Sequence, residues 1–397
     1  MTARDSNAPP RIGVRDIIAL TIFILIRVPW TLLKTTLYHL NGAPNRPVLR
    51  KDITRSLIRE AFEHIPLRVH NAFPDSARSK TLTSTRYSPY GSRFFHRIQR
   101  PNFTGYWVCR GLSATPIAPK HADLVIYHLR GSGYALGHAG DTLPGLLFLA
   151  EILEKKGIKA CIFTLDYSLV PNGAFPRQIY ECVGAYEYLL HEMGVQAEKV
   201  CLVGESAGGH LALSFLIAIA GIFSLNKEEE EMMMSMKKKK KTYPRPGSMV
   251  LLSPWVDLSL SSPMVPVLEK RDFMSRAFLQ RSGRELLRFD PQLISLFEDL
   301  TSHSIERGSW RHILPTRTWV SAGEDEMFGD DIARFVNCAR EDGVEIQLQV
   351  EAGRCHSWQS GEAFLAMRRI LDMPLQWARE ELMPGLVSVG GVIAGFV

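Results

Sequence analysis

The segment that most constrains this chain is a glycine-flanked serine between an apolar run and a helical pattern. Val200 to Val203 predicts a buried strand, Gly204-Glu205-Ser206-Ala207-Gly208 follows directly, and Gly209 to Leu213 begins a helix. A tight strand-to-helix turn holds its central serine in a strained conformation and accepts only glycine-sized neighbours. The hydroxyl then stands above the helix N-terminus, which favours developing negative charge. The pattern predicts Ser206 as a nucleophile, the alternative being a glycine-rich structural turn.

Short β-branched segments alternate with helical patterns from about residue 120 onward, which is typical of a mainly parallel, doubly wound sheet. The chain has 397 residues, 46% of them hydrophobic, which is enough for one large core. Helical patterns such as residues 146–156 and 180–193 separate the strands. The six predicted strands are Ala122 to Leu129, Lys159 to Tyr167, Lys199 to Gly204, Met249 to Ser253, Thr316 to Ala322 and Glu345 to Val350.

Two regions do not follow this alternation and are predicted to form a helical cap over the carboxyl edge of the sheet. One precedes the sheet and the other interrupts it. Runs of glutamate and lysine predict a solvated low-complexity loop. The apolar C-terminal tail is too short to span a bilayer, so it is expected either to pack against the protein or to contact lipid. The expected divisions are an N-terminal anchor (1–39), a cap region (40–105), a catalytic α/β domain (106–380) that contains the loop (226–247) and a cap insertion (262–312), and the tail (381–397).

An apolar run near the N-terminus predicts a membrane anchor. Residues 17–33 are neutral and mostly apolar apart from Arg27, and 17 residues are at the lower limit for a membrane span. Basic residues flank both ends, which leaves the orientation open, and Trp30 and Tyr38 stand where interfacial aromatics usually lie. No small-residue cleavage site follows, so an uncleaved spanning or interfacial anchor is favoured over a secretory signal. The alternative is an amphipathic helix that covers the core.

Composition excludes several classes of function. The net charge of +6 is not accompanied by a basic and aromatic stripe, so no nucleic acid partner is expected. The six cysteines show no C-x-x-C spacing, which argues against a zinc site or a disulfide scaffold. Cys161 and Cys201 lie in apolar runs and are interpreted as small buried hydrophobic residues. Neither a metal nor an organic cofactor is expected.

A serine nucleophile needs a histidine to accept its proton and a carboxylate to hold that histidine. After an elbow of this kind the acid comes next along the chain, followed by the histidine. His356 follows the last predicted strand and is the expected base, although His210, His303 and His312 also follow the serine. The acid is expected after the fifth predicted strand, where several carboxylates compete within residues 324–331.

The tetrahedral oxyanion of such a reaction needs backbone N–H donors. Ala207, directly after the nucleophile, is expected to supply one of them. The loop His128 to Tyr134, after the first predicted strand, is expected to supply the others, because its small residues let amides approach the substrate oxygen.

Four segments in a fixed order carry a family resemblance. They are Arg130-Gly131-Ser132-Gly133-Tyr134, Asp166-Tyr167-Ser168-Leu169-Val170-Pro171, the elbow Gly204 to Gly209, and Ser253-Pro254-Trp255-Val256-Asp257-Leu258. The first two resemble His-Gly-Gly-Gly-aromatic and Asp-Tyr-Arg-Leu-Ala-Pro. Over roughly residues 100–375 the chain is similar to the hormone-sensitive-lipase-like branch of the α/β-hydrolase fold. The resemblance implies a doubly wound, mainly parallel sheet with a helical cap.

The resemblance selects the acid among the competing carboxylates. In the family the acid lies four residues before a second acidic position that opens the next helix. Glu326 stands four residues before Asp330, which implies Glu326 as the acid, with Asp325 as the alternative.

The resemblance also implies oxyanion donors at Ser132 and Gly133, together with Ala207. Two residues depart from the family motif: Arg130 replaces its histidine and Ser132 its middle glycine. A serine keeps the backbone N–H, so the donor persists if serine tolerates the backbone angles. Arg130 is expected either to organise the loop differently or to select an acidic substrate.

The anchor and the catalytic pattern together resemble fungal acetyl hydrolases that deacetylate sterols or other lipophilic compounds. The expected function is hydrolysis of a carboxylic ester, a short acyl group such as acetyl on a hydrophobic alcohol, through an acyl-enzyme. The expected partners are a small hydrophobic ester and a membrane. The expected location is the endoplasmic reticulum, with the cytoplasm as the alternative. Amidase, lipase or acyltransferase chemistry would use the same residues. A non-catalytic small-molecule receptor on a hydrolase scaffold is the other alternative, and it need not keep His356.

Overall fold

A central sheet organises the chain in the computed structural model. The structure describes residues 12–42, 48–71, 76–112, 115–223, 242–375 and 380–397. Most of the low-complexity loop predicted over 226–247, and the first residues of the anchor region, lie outside these ranges. The described residues form one eight-stranded sheet in the order β1-β2-β4-β3-β5-β6-β7-β8. Its strands are β1 (His96–Arg100), β2 (Phe103–Arg110), β3 (Leu124–Leu129), β4 (Ala160–Leu165), β5 (Val200–Glu205), β6 (Ser248–Leu252), β7 (Arg317–Gly323) and β8 (Ile346–Glu351).

Strands β3 to β8 are parallel and correspond to the six predicted strands. The prediction of six was two strands short, because β1 and β2 add an antiparallel edge. β1 has the sequence His-Arg-Ile-Gln-Arg and is mostly exposed, so it lacks the apolar alternation that marks a half-buried strand. Backbone pairing with β2, which side-chain patterns do not report, makes it a strand.

Helices cover both faces of the sheet, as expected for a doubly wound fold. Successive residues of β3 alternate between two apolar clusters: Val125 and Tyr127 pack in one, Leu124 and Ile126 in the other. The helices are α1 (Val14–Ile22), α2 (Val28–Leu40), α3 (Leu49–His64), α4 (Leu67–His70), α5 (Ser76–Leu82), α6 (Leu143–Lys155), α7 (Arg177–Glu187), α8 (Ala207–Ile219), α9 (Val265–Leu268), α10 (Arg276–Leu287), α11 (Pro291–Phe297), α12 (Gly329–Glu341), α13 (Trp358–Leu371) and α14 (Pro384–Ala394).

The C-terminal apolar tail packs against the protein. α14 contacts α6 and α13, and Leu386, Val389 and Ile393 are buried. A Cβ atom at Gly390 would lie 2.6 Å from Ile152 of α6, so a glycine is needed for this close approach.

The N-terminal helix turns its polar side to the protein. α1, a π-helical turn (Phe23–Arg27) and α2 together form a helix of 27 residues that is long and apolar enough to cross a membrane. α2 lies along α3, with Arg27 Nη1 3.9 Å from Glu60 Oε2 near one end and His39 Nε2 3.0 Å from Asp52 Oδ2 near the other. The buried residues of the helix are Asp16, Thr31 and Thr35, whereas Ile17, Ile18, Ile22, Ile24, Leu25, Ile26, Trp30, Leu33 and Leu37 are exposed. This orientation is the opposite of a helix that covers the core.

Candidate active site

The predicted elbow lies between β5 and α8. Ser206 has φ 53° and ψ −120°, a backbone conformation that L-residues rarely adopt. A Cβ atom at Gly208 would lie 2.1 Å from the carbonyl oxygen of Leu129 and 2.4 Å from that of Arg130. Only glycine fits at this position, because the backbone after β3 passes directly against the turn.

His356 meets the serine hydroxyl. It lies in the loop between β8 and α13, and its Nε2 is 2.7 Å from Ser206 Oγ. Both residues are buried, and the ring of Phe328 packs edge-on against the imidazole with 4.9 Å between centroids. The two atoms are within hydrogen-bond distance, as is needed for proton transfer from the hydroxyl to the ring.

Glu326, not Asp325, reaches the other side of the imidazole. Glu326 Oε1 lies 3.2 Å from His356 Nδ1. Its second oxygen, Oε2, accepts hydrogen bonds from Ser253 Oγ at 2.8 Å and from the backbone N–H of Gly323 at 2.7 Å. Glu326 is fully buried, so these contacts fix the carboxylate in one orientation.

The alternative acid, Asp325, points to a different set of groups. Its Oδ2 accepts a hydrogen bond of 2.9 Å from Arg55 Nη1, and Arg271 also forms an ion pair with it. Its backbone N–H donates to the carbonyl of Arg354 at 2.8 Å. Asp325 therefore joins the acid loop to α3 and does not contact His356.

The carboxylates around His356 favour its charged form. Burial lowers the pKa of His356, but the hydrogen bond and charge of Glu326, with smaller contributions from Asp272 and Glu205, raise it above the ordinary histidine value. An imidazolium in this position is therefore stabilised by nearby negative charge.

The loop after β3 lies against the serine with unusual backbone angles. Ser132, Gly133 and Tyr134 have φ values of 101°, 61° and 60°. A Cβ atom at Gly131 would lie 3.2 Å from Ser206 Cβ, so the loop is adjacent to the nucleophile. Among the described residues, the N–H groups of Ser132, Gly133 and Ala207 donate to no other protein group. The three amides predicted as oxyanion donors are therefore available.

Arg130 organises the loop and is not available to a substrate. It is 2% exposed, and its Nη1 donates to the carbonyl oxygens of Leu136 at 2.7 Å and Gly131 at 3.2 Å. The guanidinium lies 4.6 Å over the ring of Tyr167 and 4.0 Å from Asp166. The alternative that Arg130 selects an acidic substrate is therefore wrong, since a buried guanidinium that contacts other groups of the protein presents no free charge.

The other histidines after the serine have different surroundings. His210 is fully buried, and burial lowers its pKa to about 4, so it is neutral. Its Nε2 donates to the carbonyl of Phe297 at 2.7 Å, and its Nδ1 accepts from Tyr134 O–H at 2.8 Å. His303 and His312 are exposed. His210 thus ties the predicted oxyanion loop to the cap, a link that no sequence pattern indicated.

Two polar residues near the site were missed by the sequence analysis. Asp272 is fully buried in the cap insertion and accepts hydrogen bonds from the backbone N–H groups of Met327 at 2.8 Å and His356 at 3.3 Å. Arg55 of α3 donates to the carbonyl of Arg271 at 2.6 Å as well as to Asp325. Both occur in charged stretches that are typical of solvated surfaces, so no sequence pattern pointed to them.

Comparison with known proteins relates most of the chain to one family. The family described as "Steryl acetyl hydrolase" matches residues 46–344. The chain belongs to the steryl acetyl hydrolases. A putative steryl acetyl hydrolase, mug81 of Schizosaccharomyces pombe, is 26% identical over 338 residues, which cover 80% of this chain and 83% of the relative. An esterase of Acinetobacter venetianus is 25% identical and covers 62% of this chain and 71% of its own.

Solved structures confirm the fold of the chain. A hormone-sensitive lipase from a metagenome library superposes with a TM-score of 0.60 at 19% identity, covering 87% of this chain and 98% of that one. The esterase EstE5 gives a TM-score of 0.59 at 18% identity, with coverages of 92% and 98%. The predicted α/β-hydrolase fold and the hormone-sensitive-lipase-like resemblance are confirmed. Family membership also makes the chain an ester hydrolase.

Proposed function

We propose that this ester hydrolase cleaves a short acyl group from a hydrophobic alcohol through an acyl-enzyme, with Ser206 as nucleophile, His356 as base and Glu326 as the acid. The observation that carries the proposal is a continuous chain of contacts. Ser206 Oγ is 2.7 Å from His356 Nε2, and His356 Nδ1 is 3.2 Å from Glu326 Oε1. This order of groups is what activates a serine hydroxyl.

In the first half of the reaction, Ser206 Oγ bonds to the ester carbonyl carbon while His356 Nε2 takes the hydroxyl proton. The amides of Ser132, Gly133 and Ala207 donate to the oxygen that becomes negative. When the tetrahedral intermediate collapses, the ester C–O bond breaks and His356 gives its proton to the departing alcohol.

In the second half, water attacks the acyl carbon and His356 Nε2 takes a proton from that water. Collapse of the second intermediate breaks the bond to Ser206 Oγ, which regains the proton from His356 and releases the carboxylic acid. Glu326 stays ionised throughout, because its role is to hold the imidazole and to stabilise the imidazolium.

Aromatic residues around the reacting groups support an apolar alcohol. The ring of Phe273 lies 5.9 Å from the His356 ring, and the ring of Phe328 lies 4.9 Å from it. A third ring, Phe278, packs against the proposed oxyanion loop, since a Cβ atom at Gly133 would lie 2.7 Å from it. The short acyl group is supported by the family that matches the chain. Arg130 offers no free charge for an anionic substrate. A non-catalytic receptor is disfavoured, since it would have no need for the contact between Ser206 and His356.

Activity-based labelling tests the proposed nucleophile. A fluorophosphonate probe forms a covalent bond only with an activated serine, so we expect labelling of the native chain and none of Ser206→Ala or His356→Ala. Thermal unfolding of each variant checks that the chain is folded. The mechanism would be contradicted by a folded native protein that fails to label, or by a Ser206→Ala variant that labels as the native chain does.

Substitution of the two neighbouring carboxylates tests the acid. With a simple aryl acetate, we expect Glu326→Gln to lower kcat by roughly a hundredfold or more, because the imidazolium loses its partner. Asp325→Asn is the matched control, since this residue pairs with Arg55 and does not contact His356. Abolished turnover in Asp325→Asn with normal turnover in Glu326→Gln would reverse the assignment.

We also propose that residues 14–40 attach this enzyme to a membrane. The support is orientation: the apolar side of the helix faces away from the protein, whereas its polar side contacts α3. Flotation with phosphatidylcholine vesicles should carry the full-length native chain to the top of a density gradient. The location in the endoplasmic reticulum stays a prediction.

A pair of exposed apolar residues on each of two helices gives a controlled comparison for flotation. Ile24→Glu with Leu25→Glu should reduce flotation at least tenfold, because both side chains project from the N-terminal helix. Phe364→Glu with Leu365→Glu, at 75% and 79% exposure on α13, is the control and should float normally. Equal flotation of the native chain and both double variants would contradict membrane attachment through this helix.

A further inference from the structure

A fully buried carboxylate of the cap insertion contacts the site from outside the sheet. Asp272 lies between α9 and α10 and is 0% exposed. Its Oδ1 accepts hydrogen bonds from the backbone N–H groups of Phe273 at 2.7 Å and His356 at 3.3 Å, and its Oδ2 accepts from that of Met327 at 2.8 Å. Three N–H donors on one carboxylate stabilise its ionised form.

Two of these three donors belong to the loops that carry the proposed acid and base. Met327 directly follows Glu326 in the loop after β7, and His356 is the proposed base itself in the loop after β8. One side chain therefore joins both loops at the backbone, next to the residues that must keep their spacing. A backbone hydrogen bond of 2.8 Å from Asp325 N–H to the carbonyl of Arg354 joins the same two loops, and Asp272 adds a second tie directly at His356.

The segment around Asp272 is itself held by α3. Arg59 Nη1 donates to the carbonyl oxygen of Asp272 at 2.9 Å and also to that of Glu269. Arg55 Nη1 donates to the carbonyl oxygen of Arg271 at 2.6 Å. The ring of the next residue, Phe273, packs against His356. Asp272 is therefore a fixed point in the cap and not a mobile surface residue.

We propose that Asp272 is a positioning residue of the triad: it fixes the spacing between the acid loop and the base loop, and it places a second negative charge beside His356. The cap insertion then helps to position His356 in addition to covering the substrate. This inference rests on the proposed function, because it assigns Asp272 a role only if His356 is the base.

Three carboxylates face His356, each from a different element. Glu326 comes from the loop after β7, Glu205 from the end of β5, and Asp272 from the cap. Burial raises the pKa of Asp272, while the charge of His356 and the N–H of Met327 oppose that rise. Burial also raises the pKa of Glu205, which accepts a hydrogen bond of 2.6 Å from Ser360 Oγ. Removing the charge of Asp272 removes one of the three carboxylates that favour the protonated imidazole.

The test is the pH profile of kcat/KM for an aryl acetate with Asp272→Asn. The base must be neutral to accept a proton, so activity rises with pH through the pKa of His356. We expect the acid limb of Asp272→Asn to move to lower pH by about half a unit to one unit. The plateau should fall about tenfold, because the imidazole is held less firmly.

Asp257→Asn is the matched control. Asp257 is equally buried and accepts hydrogen bonds from Ser259 and Ser261, but it does not contact His356. Its loss should lower the melting temperature without moving the acid limb. Rates are normalised to the fraction labelled by the fluorophosphonate, so only active molecules are counted and incomplete folding does not alter the limb.

The smaller variant Asp272→Ser repeats the test without the bulk of an amide. The proposal would be overturned if the acid limb of kcat/KM stayed at the native pH in both Asp272 variants, or if Asp257→Asn moved that limb equally. Either result would leave Ser206 and His356 as proposed. Failure of the native chain to label would instead remove the proposed function, so the two failures are distinguishable.

Discussion

The two sides of the candidate site are held in different ways. The side of the proposed nucleophile, residues 129–134 and 204–209, is fixed largely by backbone contacts between neighbouring strands: Ser206 N–H donates to the carbonyl of Leu252 at 2.9 Å, and Gly208 lies against the carbonyl of Leu129. The side of the proposed acid and base, residues 323–328 and 353–357, has a backbone contact of its own, from Asp325 N–H to the carbonyl of Arg354 at 2.8 Å, but side chains from distant segments tie it to the rest of the protein. Arg55 lies 270 positions from Asp325, and Asp272 lies 84 from His356.

This difference determines how each side responds to change. A backbone contact in a tight turn tolerates no added atom but needs no particular side chain beyond glycine. A side-chain contact can be weakened gradually, because neighbouring groups still hold part of the loop. The nucleophile side should therefore fail abruptly, and the acid–base side by degrees.

The largest effect is expected at the elbow. Gly208→Ala would place a methyl group 2.1 Å from the carbonyl of Leu129, so the turn must move and the serine with it. We expect kcat/KM to fall by roughly a thousandfold, measured with an aryl acetate. Gly391→Ala in α14 is the control, since nothing lies within 4 Å of its added methyl. Activity of Gly208→Ala within tenfold of native would contradict the rigidity ascribed to this side.

A graded effect is expected from the cap. Arg55→Gln removes the donor to Asp325, to Arg271 and, at 3.2 Å, to Gly353 in the loop that carries the base. Because Arg271 still pairs with Asp325, we expect a loss of about 2 kcal/mol in the free energy of unfolding and about tenfold in kcat/KM. Arg100→Gln, which removes a surface pair with Glu192, should change neither. An equal free energy of unfolding for the two variants, measured with urea, would show that the contacts of Arg55 do not stabilise the protein.

The pH profile of the native enzyme gives the next effect. Because the nearby carboxylates raise the pKa of His356, the acid limb of kcat/KM should lie above the ordinary histidine value, and activity should fall tenfold per pH unit below it. The same shift makes protonated His356 stabilising: that contribution is present below the unfolded pKa and is lost as pH rises through the folded pKa. An acid limb below the ordinary value would mean that burial, and not the carboxylates, controls the base.

The smallest effect is expected at the oxyanion loop. Ser132 has φ 101°, which glycine adopts without strain, so Ser132→Gly should raise the free energy of unfolding by about 0.5 to 1 kcal/mol. The amide donor is retained, so kcat should change less than threefold. Destabilisation in urea unfolding would show that the serine side chain, and not its backbone angle, matters at this position.

The same contrast explains what could be predicted from the sequence. The parallel strands and the elbow were predicted because β-branched runs and a glycine-flanked serine report local backbone geometry directly. Glu326 was selected through family resemblance, since spacing alone left several neighbouring carboxylates open. β1 was missed because its charged residues do not show the apolar alternation of a strand, and only backbone pairing with β2 makes it one. Asp272 follows Glu269-Lys270-Arg271, a run that reads as solvated surface until α3 is packed over it.

The polar contact between α2 and α3 has a practical consequence for preparing the enzyme. Asp52 is fully buried, and with Glu60 it faces the N-terminal helix through a hydrogen bond to His39 and an ion pair with Arg27. Proteolysis or gene truncation that removes residues 12–42 would uncover carboxylates, which water solvates readily, and would discard the exposed apolar side chains with the fragment. The remaining chain is therefore expected to be released from detergent or lipid without acquiring a new adhesive surface.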